Sequence, residues 1–332
     1  MKTSVCVLVL LAAVAGFHGS AAQAQNTAAA VDSHLAAARN AAAFDFTGTL
    51  ARLCVAPAPV PATLRDAAPG PAPARGTWYT EPAKMFDNLY FVGSKFHNSW
   101  ALKTSEGIIL LDTLYTYNSE EEIVGGLKKL KLDPATVKYV IITHAHGDHV
   151  GGAKLMQDRF RSRIVMGAPD WDSIEKSVNG YPEGKPKRDI AADDGQKITL
   201  GDTTVTIVTT PGHTPGTLSM LFDVKDNGKP LHVAYSGGTA FNFPSTVPNF
   251  DIYAQSQRKM AAAAARSGAT IVMSNHSEFD GAVTKIKLLA ARKPAEPHPY
   301  ELGSEAVARY FKVTEECAQA AKLKLPQAAP KP

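Results

Sequence analysis

The polar and apolar positions divide the chain in two. From Gln25 to about residue 77 there is no two-residue alternation and few large apolar side chains. Ala and Pro dominate instead (AAAVDSHLAAARNAAA, then VAPAPVPATLRDAAPGPAPARG). That texture predicts a short helix near Val31 to Ala43 and then a Pro-rich linker. From Trp78 short apolar runs recur between turn residues. NLYFVG, SWALKT and GIILLDT read as successive strands, and SEEEIVGGLKKLKL as an amphipathic helix capped by Ser119. VKYVIIT is a buried strand, GGAKLMQDRF a helix, RIVMGAP a strand, and PDWDSIEKSV a helix starting at Pro169. The second half repeats the theme. KITLG, TTVTIVTT, TLSMLFDV and PLHVAYS are strands, with a hairpin turn at DNG (226–228). AQSQRKMAAAAARSG is a helix stopped by Gly268, ATIVMSN is a strand, and Phe279 to Ala290 and Ser304 to Leu323 are closing helices. Two halves of this kind predict an α/β fold in which two mixed sheets pack face to face with helices on both outer faces.

The first 24 residues have a different pattern. A single Lys, an apolar run from Val5 to Gly16 and the small-x-small sequence Ala22-Gln23-Ala24 read as a secretory signal peptide cleaved near Ala24. The run is about a dozen residues, short of the roughly 20 that cross a bilayer. The expected division is therefore a signal peptide over 1–24, an Ala/Pro-rich extension over 25–77, a catalytic domain over 78–323 and a tail over 324–332. The expected location is periplasmic or secreted, with no membrane association after cleavage. Loss of Cys6 with the signal leaves Cys54 and Cys317, which an oxidising compartment would pair as one disulfide between the extension and the last helix. The charge balance, 35 Lys and Arg against 31 Asp and Glu, is too small to point to nucleic acid.

Chemistry concentrates in IITHAHGDHVGG, residues 141–152, where three His and one Asp follow a β-branched run. In extended chain, side chains at i and i+2 point the same way, so His144 and His146 can approach one ion together. The chain turns at Gly147, which lets Asp148 and His149 face a second ion. Catalytic zinc takes three protein ligands and keeps one position open, so each ion needs one more. His213, in the Pro-Gly turn after TTVTIVTT, and His276, after ATIVMSN, stand in the same strand-end context. Of the ten His, the remaining five lack that context: His18 is in the signal and His34 in the extension. His232 reads as a satisfied sheet residue, and His97 and His298 as solvated loop residues that could border a pocket.

These residues carry a family resemblance. With HAHGDH and PGHTPG, the chain resembles the metallo-β-lactamase superfamily over roughly Trp78 to Ala290. The resemblance implies an αββα sandwich, with His144, His146 and His213 at one Zn²⁺ and Asp148, His149 and His276 at a second, as in the third subclass of class B β-lactamases. Glyoxalase II and the acyl-homoserine lactonases carry a Gly-Asp pair whose Asp bridges both metals; HVAYSGGTAFNF has Gly237 and Gly238 at that point. Third-subclass β-lactamases usually have Ser just after this strand to hold the drug's carboxylate, a role left here to Thr239 and Asn242.

The implied activity is hydrolysis of a β-lactam amide. Zinc lowers the pKa of bound water from 15.7 to about 7, on the order of 12 kcal/mol in the cost of making the nucleophile. A side-chain base contributes roughly 3 to 5 kcal/mol. Asp148 is expected both to bind zinc and to orient the nucleophile. Two Zn²⁺ offset by one Asp and one hydroxide would favour a small-molecule substrate bearing a carboxylate. Hydrolysis of another ester, lactone or thioester, or zinc binding without turnover, are the alternatives. No GxSxG, GxGxxG or Walker loop is present. In the superfamily's di-iron oxidoreductases, Glu replaces the second His of the motif, so His146 favours zinc hydrolysis.

Overall fold

The structure is a computed structural model that describes residues 9–55, 71–178 and 180–326, with side chains from residue 25 onward. The start of the expected signal peptide, most of the Pro-rich linker and the end of the tail lie outside the described residues.

Twelve strands form two sheets among the described residues. The first contains β1 (Ala83–Lys84), β2 (Leu89–Phe91), β3 (Trp100–Thr104), β4 (Gly107–Leu111), β5 (Val137–Ile141), β6 (Arg163–Gly167) and β7 (Ile190–Ala192), in that spatial order. The second contains β8 (Lys197–Leu200), β9 (Thr203–Thr209), β10 (Leu218–Asp226), β11 (Lys229–Ser236) and β12 (Ile271–Ser274), also in chain order. The first four strands pair antiparallel and β4 to β7 parallel; β8 to β11 are antiparallel and β12 joins β11 in parallel.

Side-chain alternation explains the layering. In β3 and β4, Trp100, Leu102, Ile109 and Leu111 face the second sheet and meet Ile207, Met220, Val233 and Met273 in the central core. Ala101, Ile108 and Leu110 point the other way, beneath Ile123, Leu127, Met156 and Trp171 of the outer helices. On the far side, Val208, Ala234 and Val272 pack under Met260, Tyr310 and Phe311. Each fully buried Leu, Ile or Phe contributes roughly 1.5–3 kcal/mol. The result is the αββα sandwich expected from the pattern.

Four helices matter below: α1 (Val9–Ala42), α2 (Thr47–Cys54), α3 (Val247–Ser267) and α4 (Ser304–Leu323). Three features differ from expectation. Helix α1 is longer than the short helix expected near Val31 to Ala43, and the extension is packed: Ala38, Ala42, Phe46 and Leu53 lie against α4, where small Ala side chains permit close approach. Ser119 is not a cap; helix begins at Thr116, and the Ser119 hydroxyl donates to Tyr115 O at 2.6 Å. The two short strands β1 and β7 carry too few residues to show a period. Gly268 does end α3, at φ 70°.

Candidate metal centre

Topology places the strand ends at one edge. β4, β5 and β6 run parallel, so Asp112, His144 and Asp170 follow carboxyl ends on the same side. β9 and β11 both run antiparallel to β10, and β12 runs with β11, so His213, Gly237 and His276 leave the second sheet together.

The first group is His144, His146 and His213. His213 Nε2 lies 3.0 Å from His144 Nε2 and 3.1 Å from His146 Nδ1. The outer nitrogens fix the tautomers: His144 Nδ1 is 3.0 Å from Gly237 O, and His213 Nδ1 2.6 Å from Ala240 O. A carbonyl only accepts, so both Nδ1 atoms carry the proton and both Nε2 atoms present bare lone pairs. Burial lowers the His144 imidazole well below its usual value, and burial together with His146 lowers His213 to about 3, so both stay neutral.

The second group gathers two imidazoles around a carboxylate. His149 Nε2 is 3.1 Å from both Asp148 Oδ2 and His276 Nε2, and His276 Nε2 is 3.4 Å from Asp148 Oδ2. His149 Nδ1 donates to Asp112 Oδ2 at 2.9 Å, and Asp112 is fixed in turn by Thr143 N at 2.7 Å and the Thr143 hydroxyl at 2.9 Å. Burial opposes a charge on His149, but the carboxylates of Asp148 and Asp112 on either side raise it to about 10. Burial likewise opposes the charge of Asp148, yet the surrounding imidazoles hold its carboxyl well below the usual range. Burial, then His149, lowers His276 well below its usual value.

In the first group the His144 and His213 lone pairs face each other at 3.0 Å and repel unless a cation lies between them. Ligands ~2.05 Å from a tetrahedral zinc stand ~3.3 Å apart, close to these separations. His144, His146 and His213 therefore fit one metal ion, and the separations among Asp148, His149 and His276 fit a second; imidazoles with one carboxylate are a donor set that suits zinc.

The predicted residues separate clearly. His144, His146, His213, Asp148, His149 and His276 converge. Asn242 lines an open cavity of about 440 Å³ beside His146 and His213, with Phe243, Pro244, Asn249 and Ile252 around it. Thr239 does not: it is 1 % exposed and its hydroxyl lies 2.8 Å from the Tyr310 hydroxyl, which removes it from substrate contact. His298 is not solvated; it is buried against Phe86, and its Nε2 donates to Met85 O at 2.8 Å. His232 is a sheet residue on the exposed face, 2.6 Å from Asp223. His97 is at the second group, its Nε2 3.5 Å from Asp148 Oδ2.

Two supporting carboxylates, Asp112 and Asp170, also follow apolar strand runs in the sequence. Asp112 ends GIILL as His144 follows VKYVI. Asp170 opens the helix after β6 and ties both ligand loops together, accepting from Ala145 N, Gly216 N and the Thr214 hydroxyl, each at 2.8 Å. Gly237 and Gly238 also acquire a cause. A Cβ on Gly237 would sit 1.7 Å from Leu218 O, and one on Gly238 2.6 Å from His213 Cβ, so neither position accommodates an aspartate.

Residues 92–227 match the family model of the metallo-β-lactamase superfamily. The chain carries a metallo-β-lactamase superfamily domain. Among solved structures it is similar to BJP-1, a subclass B3 metallo-β-lactamase of Bradyrhizobium japonicum, at 28% identity and a TM-score of 0.61, covering 71% of this chain and 91% of that one. Among curated proteins it is similar to an N-acyl homoserine lactonase of Bacillus sp, 28% identical over 175 residues, 45% of this chain and 67% of the relative. It also matches a hydroxyacylglutathione hydrolase of Acidiphilium cryptum, 37% identical over 84 residues, 25% of this chain and 30% of that relative. The proteins that it is similar to are thus named as a metallo-β-lactamase, a lactonase and a hydroxyacylglutathione hydrolase.

Proposed function

We propose that the chain is an exported di-zinc hydrolase that opens the amide ring of β-lactams bearing a carboxylate. The observation that carries this reading is the pairing of the His144, His146 and His213 group with Asp148, His149 and His276 at a site where Gly237 and Gly238 leave no room for a bridging aspartate. The likeness to BJP-1 over most of both chains supports it. Zinc held by the two groups would supply a nucleophilic water at neutral pH and an electrophile for the carbonyl oxygen. The chain's own part is positioning. Gly237 and Ala240 carbonyls aim His144 and His213, Asp112 aims His149, and Asp148 would both hold metal and orient the attacking water.

Substrate enters from the cavity beside His146. Among the described residues its lining contains no Lys or Arg. Attraction for a carboxylate then comes from the net positive charge of the metals, with Asn242 and Asn249 as neutral donors. Export rests on the signal-peptide pattern, and the Cys54–Cys317 disulfide is in keeping with an oxidising compartment.

A second reading, hydrolysis of a lactone or thioester, is favoured by the same absence of a cationic lining residue and by the curated relatives. A panel of a chromogenic cephalosporin, an acyl lactone and a thioester separates the readings by kcat/KM. The cephalosporin is expected to lead by at least about tenfold, ~1.4 kcal/mol in transition-state binding. Preference for the lactone or thioester would replace the first reading with the second, and inertness toward all three would leave a zinc binder without turnover.

A further inference from the structure

Three of the expected ligand imidazoles are aimed through the ring nitrogen that faces away from the metal: His144 by Gly237 O, His213 by Ala240 O and His149 by Asp112. His276 is not. Among the described residues none accepts from its Nδ1, and its side chain is 21 % exposed. The ring therefore takes its direction from the backbone that carries it, with the rings of Phe279 and His97 meeting it edge-on at 5.8 and 5.0 Å.

That backbone converges on one buried carboxylate. Asp280 accepts from Ser274 N at 3.0 Å, Ala282 N at 3.0 Å, the Tyr300 hydroxyl at 3.1 Å and Asn98 Nδ2 at 3.2 Å. Asn98 extends the hold to both neighbours of His276: its N donates to Asn275 O at 2.8 Å, and its Oδ1 accepts from the Ser277 hydroxyl at 2.7 Å. The end of β12, the β2–β3 loop, the start of the helix Ala282–Ala291 and the stretch before α4 all meet on this group. Each carboxylate oxygen takes a backbone N–H, Oδ1 from Ala282 and Oδ2 from Ser274. An amide in its place would turn its own N–H group toward one of those donors, so only an ionised Asp satisfies both. Burial opposes that charge, and Lys285, its ammonium 4.0 Å over the Tyr300 ring, favours it.

We infer that Asp280 is a positioning residue of the second metal position, setting His276 through its backbone as Asp112 sets His149 through its ring, an assignment that rests on the di-metal reading above. It is the counterpart of Asp170, which ties together the two loops of the first group. Loss of its hold weakens metal at the second position and spares the first.

Cobalt(II) titration of the metal-free chain, read by visible absorption, tests this without any substrate. His276→Ala marks which of the two binding events belongs to the second position. Asp280→Asn is expected to weaken that same event about 10- to 100-fold and to shift its bands, while the other event keeps its affinity and spectrum. A carboxylate that served the fold alone would lower the melting temperature and leave both events unchanged, or weaken them alike; either result in folded Asp280→Asn would overturn the assignment. Should Asp280→Asn fail to fold, Tyr300→Phe decides, because it removes one donor to the carboxylate and keeps a ring under Lys285. Weakening of the marked event alone, by about threefold, supports the assignment, and no change or an equal change in both events overturns it. A wild-type chain that takes up a single ion would instead overturn the di-metal reading, and the assignment with it, whereas inertness toward every substrate bears on the proposed function alone.

Discussion

At the scale of single residues, neighbours decide what a buried group does. Glu122 is 1 % exposed and accepts one backbone hydrogen bond, from Thr80 N at 3.2 Å. Burial pushes its carboxyl up to about 8, with Glu121 adding to the shift and Arg75 and Lys129 opposing it. The sign follows: below about pH 4.5 the carboxyl is neutral folded and unfolded alike, and between that point and pH 8 only the unfolded chain ionises freely, so stability falls as pH rises. Glu122→Gln is expected to leave the melting temperature unchanged at pH 4.5 and to raise stability by on the order of 2 kcal/mol at pH 8. Equal melting curves at pH 8 would contradict this. The same dependence on neighbours sets what could be read from sequence. Four candidate ligands lie within six residues and stand out in the sequence, whereas the inward turn of Thr239 toward Tyr310 and the burial of His298 against Phe86 depend on partners 71 and 212 positions away.

Among the elements, a strand's period tells which side chains are buried and where the strand ends. It does not tell which edge of the sandwich that end reaches. His213 and His276 were legible because each follows a long β-branched run, and such ends gather at one edge here. His97 was not, since its edge is set by the pairing order of β2, β3 and β4, and Asp170 was not, since its partners lie on two other loops. The end of β11 shows how tight this edge is: Gly237 O accepts from both His144 Nδ1 and Asn275 Nδ2, at 3.0 and 2.7 Å. Because any Cβ there meets Leu218 O, Gly237→Ala is expected to cost about 3 kcal/mol of stability and to weaken zinc uptake at the first group. Chemical denaturation and elemental analysis check the pair of effects; a fully stable, zinc-replete variant would contradict them.

In the whole molecule, the amino-terminal extension is bound to the sandwich rather than trailing from it. Cys54 and Cys317 are joined with Cα atoms 4.9 Å apart across 263 residues of sequence, and Arg309 donates to Ala41 O at 3.0 Å beside that link. A closure of this length stabilises by about 2–5 kcal/mol. It holds α1 and α2 on α4, whose Tyr310 lies under the end of β11 beside Thr239. All layers thus converge on one edge where imidazole lone pairs face each other, an arrangement that calls for bound cations. The most direct measurement is the rate of chromogenic cephalosporin hydrolysis by the zinc-stripped chain as zinc is returned. The rate is expected to be negligible at the start and to rise to a plateau near two zinc ions per chain; full hydrolysis by the stripped chain, indifferent to added zinc, would contradict the account.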